Sequence, residues 1–143
     1  MVTFSTVGFG REDLAAKPRV SESCFAQARV TNQMRKEGKQ LLIFEVTAAT
    51  VLNQIGCVHL EYLSHPTGTN ADKDRQLCRR LGRSALALGL ATMADIEAGE
   101  VTVDFADAIG REVTLELVKR QQGIQVSFLG IWAVDDPDAP KVN

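Results

Sequence analysis

The sequence predicts a mainly β domain with one main helix. Five segments carry the two-residue alternation, or the β-branched and aromatic composition, of strands. The longest run with helical periodicity lies between the third and the fourth of these segments. The chain has 143 residues, of which 45% are hydrophobic, and this is enough for one domain with its own core and no stabilising disulfide or metal.

The first three predicted strands follow one another closely. In CFAQARVT, which begins at Cys24, small apolar residues alternate with larger or polar ones, as in a half-buried strand. Gly38 suits the positive φ of a hairpin turn, and the runs QLLIFEVTA and GCVHLEYLS follow it. In the third run we expect Val58, Leu60 and Tyr62 to share the core-facing side. The pattern predicts an antiparallel meander.

The period changes from two residues to 3.6 after the loop HPTGTN. The apolar stripe of the predicted helix consists of Leu77, Leu81, Ala85 and Leu88. Thr69 or Asn70 is expected to cap the start of this helix, and Gly89 to end it. Thr92 and Asp95 stand at capping-box spacing, which predicts a short second helix.

The last two strands form a predicted hairpin, because REVTLELVKR and IQVSFLGIWAV alternate on either side of the turn QQG. The complete order is three strands, a helix and two strands. This is the order of the OB-fold, a five-stranded partly open barrel whose second and third strands face oligonucleotides or oligosaccharides. The alternative is a flat five-stranded sheet with the helix across one face, and the edges of such a sheet would be unprotected.

Three regions follow from these patterns. Residues 1–22 show no periodicity and are expected to form a loosely ordered arm, and residues 23–134 form the predicted domain. Residues 135–143 are an acidic tail with two prolines, which we expect to be disordered. Asp135, Asp136 and Asp138 could dock on the basic surface of a partner protein. The alternative is a tail that only increases solubility.

Charge and cysteine content narrow the class of protein. The net charge is −2, but residues 1–83 carry 12 basic and 8 acidic residues while residues 84–143 carry 4 and 10, which indicates a basic working surface. Cys24, Cys57 and Cys78 lack CxxC or Cys/His spacing, so we expect core residues and no disulfide, metal or other cofactor. The lack of a secretory leader and of an apolar run of about 20 residues predicts a cytoplasmic protein.

Three segments carry a family resemblance: KEGKQLLIFEV, HPTGTNADKDRQLCRRLGRSALALGLA and FADAIGREVTLELVKRQQGIQVSFLGIWAVDDPDAP. In their order and spacing the chain resembles, from about Phe25 to Pro140, the small OB-fold single-stranded-DNA-binding proteins of bacteriophages and prophages. Ala108, Ile109 and Gly110 stand where that family has a short turn before its fourth strand. The resemblance implies non-enzymatic binding of single-stranded DNA in replication or recombination of a mobile element. Its implied partners are single-stranded DNA and, through the tail carboxylates Asp135, Asp136 and Asp138, replication or recombination proteins. The sequence leaves open whether the chain is a homo-oligomer.

A single-strand binder needs cations for phosphates and flat side chains for base stacking. The first hairpin turn supplies cations, and the first strand carries an aromatic residue and an arginine opposite its small apolar residues. Aromatic residues on the second and third strands could also stack, although the apolar residues two positions away favour the core for both. The candidate DNA-binding residues are Phe25, Arg29, Arg35, Lys36, Lys39, Phe44 and Tyr62. Trp132 is expected to close the barrel, with ligand contact as its alternative role.

The main helix carries a second basic candidate. Arg75, Arg79 and Arg83 are four residues apart and therefore form one stripe beside the apolar one. Such a stripe is often a solvated helix face. Its functional alternatives are an extension of the DNA path or contact with an acidic partner protein.

Two other functions remain as alternatives. An OB-type protein-interaction adaptor would use the arginine stripe and the acidic tail without binding DNA. A small hydrolase would use His59 and Glu61, two residues apart on one face of the third strand. Because a single strand histidine is usually structural and no nucleophile or metal motif accompanies it, a non-enzymatic protein is predicted.

Overall fold

The structure is a computed structural model and describes residues 1–10 and 16–142. In chain order its elements are β1 (Cys24–Lys36), β2 (Lys39–Ala49), β3 (Val58–Ser64), α1 (Ala71–Ala87), α2 (Met93–Glu97), β4 (Glu112–Arg120) and β5 (Gly123–Ala133), with 3₁₀ turns at Leu52–Gln54 and Phe105–Ala108. The strands form one open antiparallel sheet in the order β3-β2-β1-β4-β5. The prediction of a mainly β domain with its main helix between the third and fourth strands is confirmed.

The central strand β1 organises the core. Its first half pairs with both β2 and β4, whereas its second half pairs with β2 alone. The small core-facing side chains Ala26, Ala28 and Val30 are 0% exposed. They join Phe44 of β2 and Leu115 of β4 in one hydrophobic cluster, because small residues on a central strand leave room for larger ones from its neighbours.

Glu61 connects the two edge strands of the sheet to the main helix. Its Oε1 accepts a hydrogen bond from the backbone N–H of Val126 in β5 at 3.0 Å and lies 3.0 Å from Nε2 of His59. Its Oε2 accepts a hydrogen bond from Arg80 of α1 at 3.1 Å. We name this group (His59, Glu61, Arg80 and the Val126 N–H) the Glu61 clasp. The sheet therefore curls enough for β3 and β5 to approach each other beside α1.

The prediction for the two faces of β3 was wrong. His59, Glu61 and Leu63 are buried, with 3%, 6% and 3% of their surfaces exposed, whereas Tyr62 is 45% exposed. A polar pair can lie inside when its hydrogen-bonding groups find partners there, and the Glu61 clasp supplies those partners. Burial of this pair turns Tyr62 to the outer face of the sheet.

The helix boundaries agree with the predicted signals. Asn70 caps α1 by accepting a hydrogen bond from the Lys73 N–H at 3.1 Å. Gly89, with φ of 70°, follows the end of α1, in the left-handed conformation that suits glycine. Thr92 and Asp95 form both hydrogen bonds of a capping box at the start of α2.

The C-terminal end of the predicted N-terminal arm is hydrogen-bonded to β3. Residues 1–9 are exposed, and residues 11–15 of the predicted arm lie outside the described part of the chain. Beyond them, the Val20 N–H donates to the Val58 carbonyl at 3.0 Å, and the Val58 N–H donates to the Pro18 carbonyl at 2.9 Å. Val20 is 6% exposed. The last residues of the arm thus run along the start of β3, parallel to it.

The acidic tail forms local hydrogen bonds. The Asp136 N–H donates to the Ala133 carbonyl at 3.1 Å, and the Ala139 N–H donates to the Asp136 carbonyl at 3.0 Å. Val142 is 3% exposed. The described part of the tail therefore turns twice and buries Val142 near its end.

Two of the three cysteines are core residues. Cys24 and Cys57 are buried, and burial raises the pKa of the Cys24 thiol, with smaller contributions from Cys57 and Glu22. Cys78 is exposed, so its assignment to the core was wrong; it lines an open groove between α1 and the β1–β2 hairpin. Among residues 1–10 and 16–142, none of the helices has the length and apolar character of a transmembrane segment.

Candidate functional site

The outer face of β1, β2 and β3 combines two lysines with exposed apolar and aromatic side chains. Met34 lies opposite Leu41, which lies opposite Tyr62, and residues opposite each other in antiparallel strands project to the same side. In the next row, Lys36 lies opposite Lys39. We name these five residues the lysine–tyrosine face.

The exposure of these residues suits a binding surface. Met34 and Tyr62 are 48% and 45% exposed, while Leu41 between them is 5% exposed and forms the floor. Lys36 and Lys39 are both exposed. The surface therefore offers an aromatic ring and a thioether beside two cations, all on neighbouring strands.

An irregularity in β1 creates this face. The register of β1 against β2 shifts between Val30 and Asn32, which is the effect of a β-bulge. Before the shift, Val30 faces the core, whereas after it Met34 faces outward and Arg35 lies opposite Gln40, which is buried. Strict alternation would have placed Met34 in the core, and for this reason the sequence pattern missed Met34 as a surface residue.

The bulge also places the basic residues of the first hairpin on two different sides of the sheet. Lys36 and Lys39 belong to the lysine–tyrosine face together with Tyr62. Arg35 projects to the other side of the hairpin, where it lines a groove with Arg75 and Arg79 of α1. Three cations that are close in sequence therefore serve two different surfaces.

Two other predicted DNA contacts lie elsewhere. Phe44 is 1% exposed and belongs to the core, so a base cannot stack on it while the core is intact. Phe25 is half-buried opposite Glu116 of β4. Met34 lies further along the same strand by nine residues, roughly 30 Å at the usual rise of a strand, so Phe25 does not share the lysine–tyrosine face.

Arg29 is exposed, but carboxylates flank it. It lies opposite Glu45 on β2 and opposite Glu112 on β4. Lys17 donates a hydrogen bond to Glu45 at 2.8 Å, and this bond, together with the charges of Lys17 and Arg29, lowers the pKa of the Glu45 carboxyl. The nearby negative charges weaken any attraction between Arg29 and a phosphate.

The arginines of α1 contact β5. Arg80 belongs to the Glu61 clasp, and the Arg79 guanidinium lies over the Phe128 ring at 5.0 Å from its centroid. Arg83 lies over the Trp132 ring at 5.7 Å. These are distances at which a cation is attracted to an aromatic face, so two of the three stripe residues help to hold α1 on β5.

The aromatic partners of these arginines come from an irregular part of β5. Leu115 pairs with Ile131 and Leu117 pairs with Val126, so four residues of β5 bulge out opposite one residue of β4. Leu129 has a φ of 61°, and a Cβ added at the buried Gly130 would collide with the Ser127 side chain. The bulge leaves Phe128 47% exposed. Apolar and polar residues alternate regularly along the β5 sequence, so the sequence pattern did not reveal the bulge.

His59 and Glu61 form the pair considered for hydrolysis, but the pair is enclosed. Both carboxylate oxygens of Glu61 accept hydrogen bonds, and the cavity beside it has a volume of about 20 Å³, close to that of one water molecule. Within the described ranges, no group of three or more His, Cys, Asp or Glu residues is arranged to hold a metal ion.

The carboxylates of the tail differ in their surroundings. Asp135 and Asp138 are exposed, whereas Asp136 is half-buried. One carboxylate oxygen of Asp136 accepts a hydrogen bond from the Asp138 N–H at 2.9 Å. Asp136 therefore stabilises a local turn, and Asp135 and Asp138 remain the tail carboxylates that a partner can reach.

No family model, no curated protein and no solved structure matches this chain.

Proposed function

We propose that this chain is a non-enzymatic OB-fold protein that binds single-stranded DNA on its lysine–tyrosine face. The OB assignment is supported by the strand order, by β1 pairing with both β2 and β4, and by the position of α1 between β3 and β4. OB-folds bind oligonucleotides on the face of their second and third strands and at the loop between the first two strands. The lysine–tyrosine face occupies these elements.

One observation carries the proposal: the register brings Lys36 and Lys39 to the same side of the sheet as the exposed Tyr62. Lysines neutralise phosphates, and an exposed aromatic ring offers a platform for any base. Met34 widens the apolar surface beside the ring. Contacts of this kind read the backbone and the flat faces of bases, so the proposed binding has little sequence preference.

The biological setting belongs to the proposal as well. The family resemblance favours a role in replication or recombination of a mobile element, where single strands are exposed. Salt dependence is the physical signature of such a role, because phosphate contacts release counterions when they form.

The test is a titration of fluorescently labelled oligothymidine, followed by fluorescence anisotropy at two salt concentrations. We expect binding at low salt and a weaker affinity at high salt. Lys39→Glu should weaken binding, and Lys141→Glu, the same charge change at an exposed position near the C-terminus, should weaken it much less. Absence of binding at low salt, or equal loss in the two variants, would contradict the proposal.

A further inference from the structure

A second basic surface lies on the other side of the β1–β2 hairpin. It is an open groove of about 850 Å³ between the hairpin, α1 and residues 93–105, and we name it the arginine groove. Its volume is in the upper part of the range of about 300–1,000 Å³ that is usual for ligand pockets. The lysine–tyrosine face does not contribute to its lining.

In the described part of the chain, no carboxylate pairs with the arginines of the arginine groove. Arg35, Arg75, Arg79 and Arg83 line it, and no Asp or Glu is among its lining residues. Within residues 1–10 and 16–142, the ion pairs involve only Lys17, His59 and Arg80 as cations, so none of the four arginines has a carboxylate partner. In a chain with a net charge of −2, such a cluster favours an anionic ligand.

The rest of the groove is aliphatic. Leu86, Ile96 and Val103 line it together with Met93 and Val101, and the last two are 55% and 36% exposed. Exposed apolar side chains beside a rim of cations are typical of a protein-binding surface. A ligand that fits both properties carries carboxylates along one side and aliphatic or aromatic side chains along the other.

We propose that the arginine groove binds an acidic, amphipathic segment of a partner protein. A nucleic-acid strand fits less well, because it needs several exposed rings for stacking, whereas the rings in the lining are Phe105, which is 7% exposed, and the half-buried His65. The carboxylates of the segment pair with the arginines, and its apolar side chains cover Met93 and Val101. This inference is independent of DNA binding, since Arg35 and Lys36 project to opposite sides of the hairpin.

The binding test uses a short fluorescent peptide that alternates Glu and Leu, because an extended chain of this kind presents acids on one side and leucines on the other. Two control peptides alternate Gln with Leu and Glu with Ser. We expect the Glu–Leu peptide to bind more tightly than either control, and its affinity to fall as salt is added. Equal binding of the Glu–Ser peptide would overturn the proposal, since charge alone would then suffice.

Protein variants identify the groove as the site. Arg75→Glu should weaken peptide binding about five- to tenfold, since it replaces one exposed ion-pair attraction by a repulsion. Arg120→Glu makes the same change in the β4–β5 hairpin, outside the groove, and should leave the affinity almost unchanged. Met93→Ser removes an apolar contact without changing charge and should also weaken binding. Thermal unfolding confirms that each variant is folded.

The exposed thiol of Cys78 reports directly on occupancy, because Cys78 lines the groove while Cys24 and Cys57 are buried. Bound Glu–Leu peptide should slow the alkylation of Cys78 by iodoacetamide, and oligothymidine should not. Protection by oligothymidine but not by the peptide would overturn the proposal and assign the groove to the DNA path. A protein that binds oligothymidine but not the peptide would disprove this inference and leave the proposed function standing. A protein that binds the peptide but not oligothymidine would support this inference and contradict the proposed function.

Discussion

The lysine–tyrosine face and the arginine groove lie on opposite sides of one β-hairpin and differ in the chemistry that accompanies their cations. Lysines stand beside an exposed tyrosine on the first surface. On the second, the lining beside the arginines is mainly aliphatic, and Arg79 and Arg83 lie over rings of β5. Arg35 and Lys36 are adjacent in sequence but belong to different surfaces. The comparison shows that strand register, and not proximity in sequence, determines on which of the two surfaces a basic residue lies.

The largest expected effect concerns the Glu61 clasp, which holds the helical wall of the groove against the sheet. Glu61→Ala leaves His59 and the Val126 N–H without their buried partner, and Arg80 without its carboxylate. Breaking a buried pair typically costs about 3–5 kcal/mol, and the partial exposure of Arg80 favours the lower end. Urea denaturation should show this loss, while Glu97→Ala, at an exposed site on α2, should be almost neutral. A small change in both variants would contradict a structural role for the clasp.

The next effect separates the two surfaces by their aromatic content. Tyr62→Leu keeps an apolar side chain but removes the stacking platform, which contributes about 1–3 kcal/mol per stacked base. Oligothymidine affinity should fall at least fivefold, and binding of the Glu–Leu peptide should not change. Ile109→Ala, which shortens another exposed apolar side chain, is the control. Equal affinity of Tyr62→Leu and the parent protein for oligothymidine would remove Tyr62 from the interface.

Charge reversal at the adjacent residues Arg35 and Lys36 tests most directly whether the two surfaces are separate. Lys36→Glu should weaken oligothymidine binding and spare peptide binding, whereas Arg35→Glu should do the opposite. Each loss should be about five- to tenfold, because each change replaces one exposed attraction by a repulsion. Both affinities can be measured on the same preparations by anisotropy. If either variant weakened both ligands equally, the two surfaces would not be distinct.

A smaller effect concerns the contact between Arg79 of α1 and Phe128 of β5. Phe128→Leu removes the ring beneath Arg79, and an exposed cation–π contact contributes about 0.5–1 kcal/mol. A double-mutant cycle with Arg79→Ala should show coupling of this size in denaturation experiments. The same cycle with Arg75→Ala should show none, because the ring lies beneath Arg79.

The smallest effect is electrostatic and lies beside Arg29. The hydrogen bond from Lys17 lowers the pKa of Glu45, so the interaction stabilises the fold when Glu45 is ionised and is lost as the pH falls through this lowered pKa. Lys17→Met should move the Glu45 pKa back toward its ordinary value and flatten this acid dependence. NMR titration of the Glu45 carboxyl in the variant and in the parent protein measures this pKa. An unchanged pKa would show that Lys17 is not the cause.

The order of elements was predictable because local chemistry determines it. The alternation in β1, the capping residue Asn70 and the glycine after α1 each act within a few residues. Tyr62 was assigned to the wrong face of β3, because alternation specifies two faces but not which of them is buried. The burial of Glu61 depends on Arg80 and on the Val126 N–H, and both are distant in sequence.

By itself, the sequence determined the fold class, the number and order of the strands and the ends of the main helix, since propensities, caps and turns are local. Tertiary structure alone decided which cations share a surface. The bulge after Val30 turns Met34 and Lys36 to one side and Arg35 to the other, and the bulge in β5 brings Phe128 beneath Arg79. Such shifts are selected by packing across the whole sheet, so no local sequence pattern predicts them.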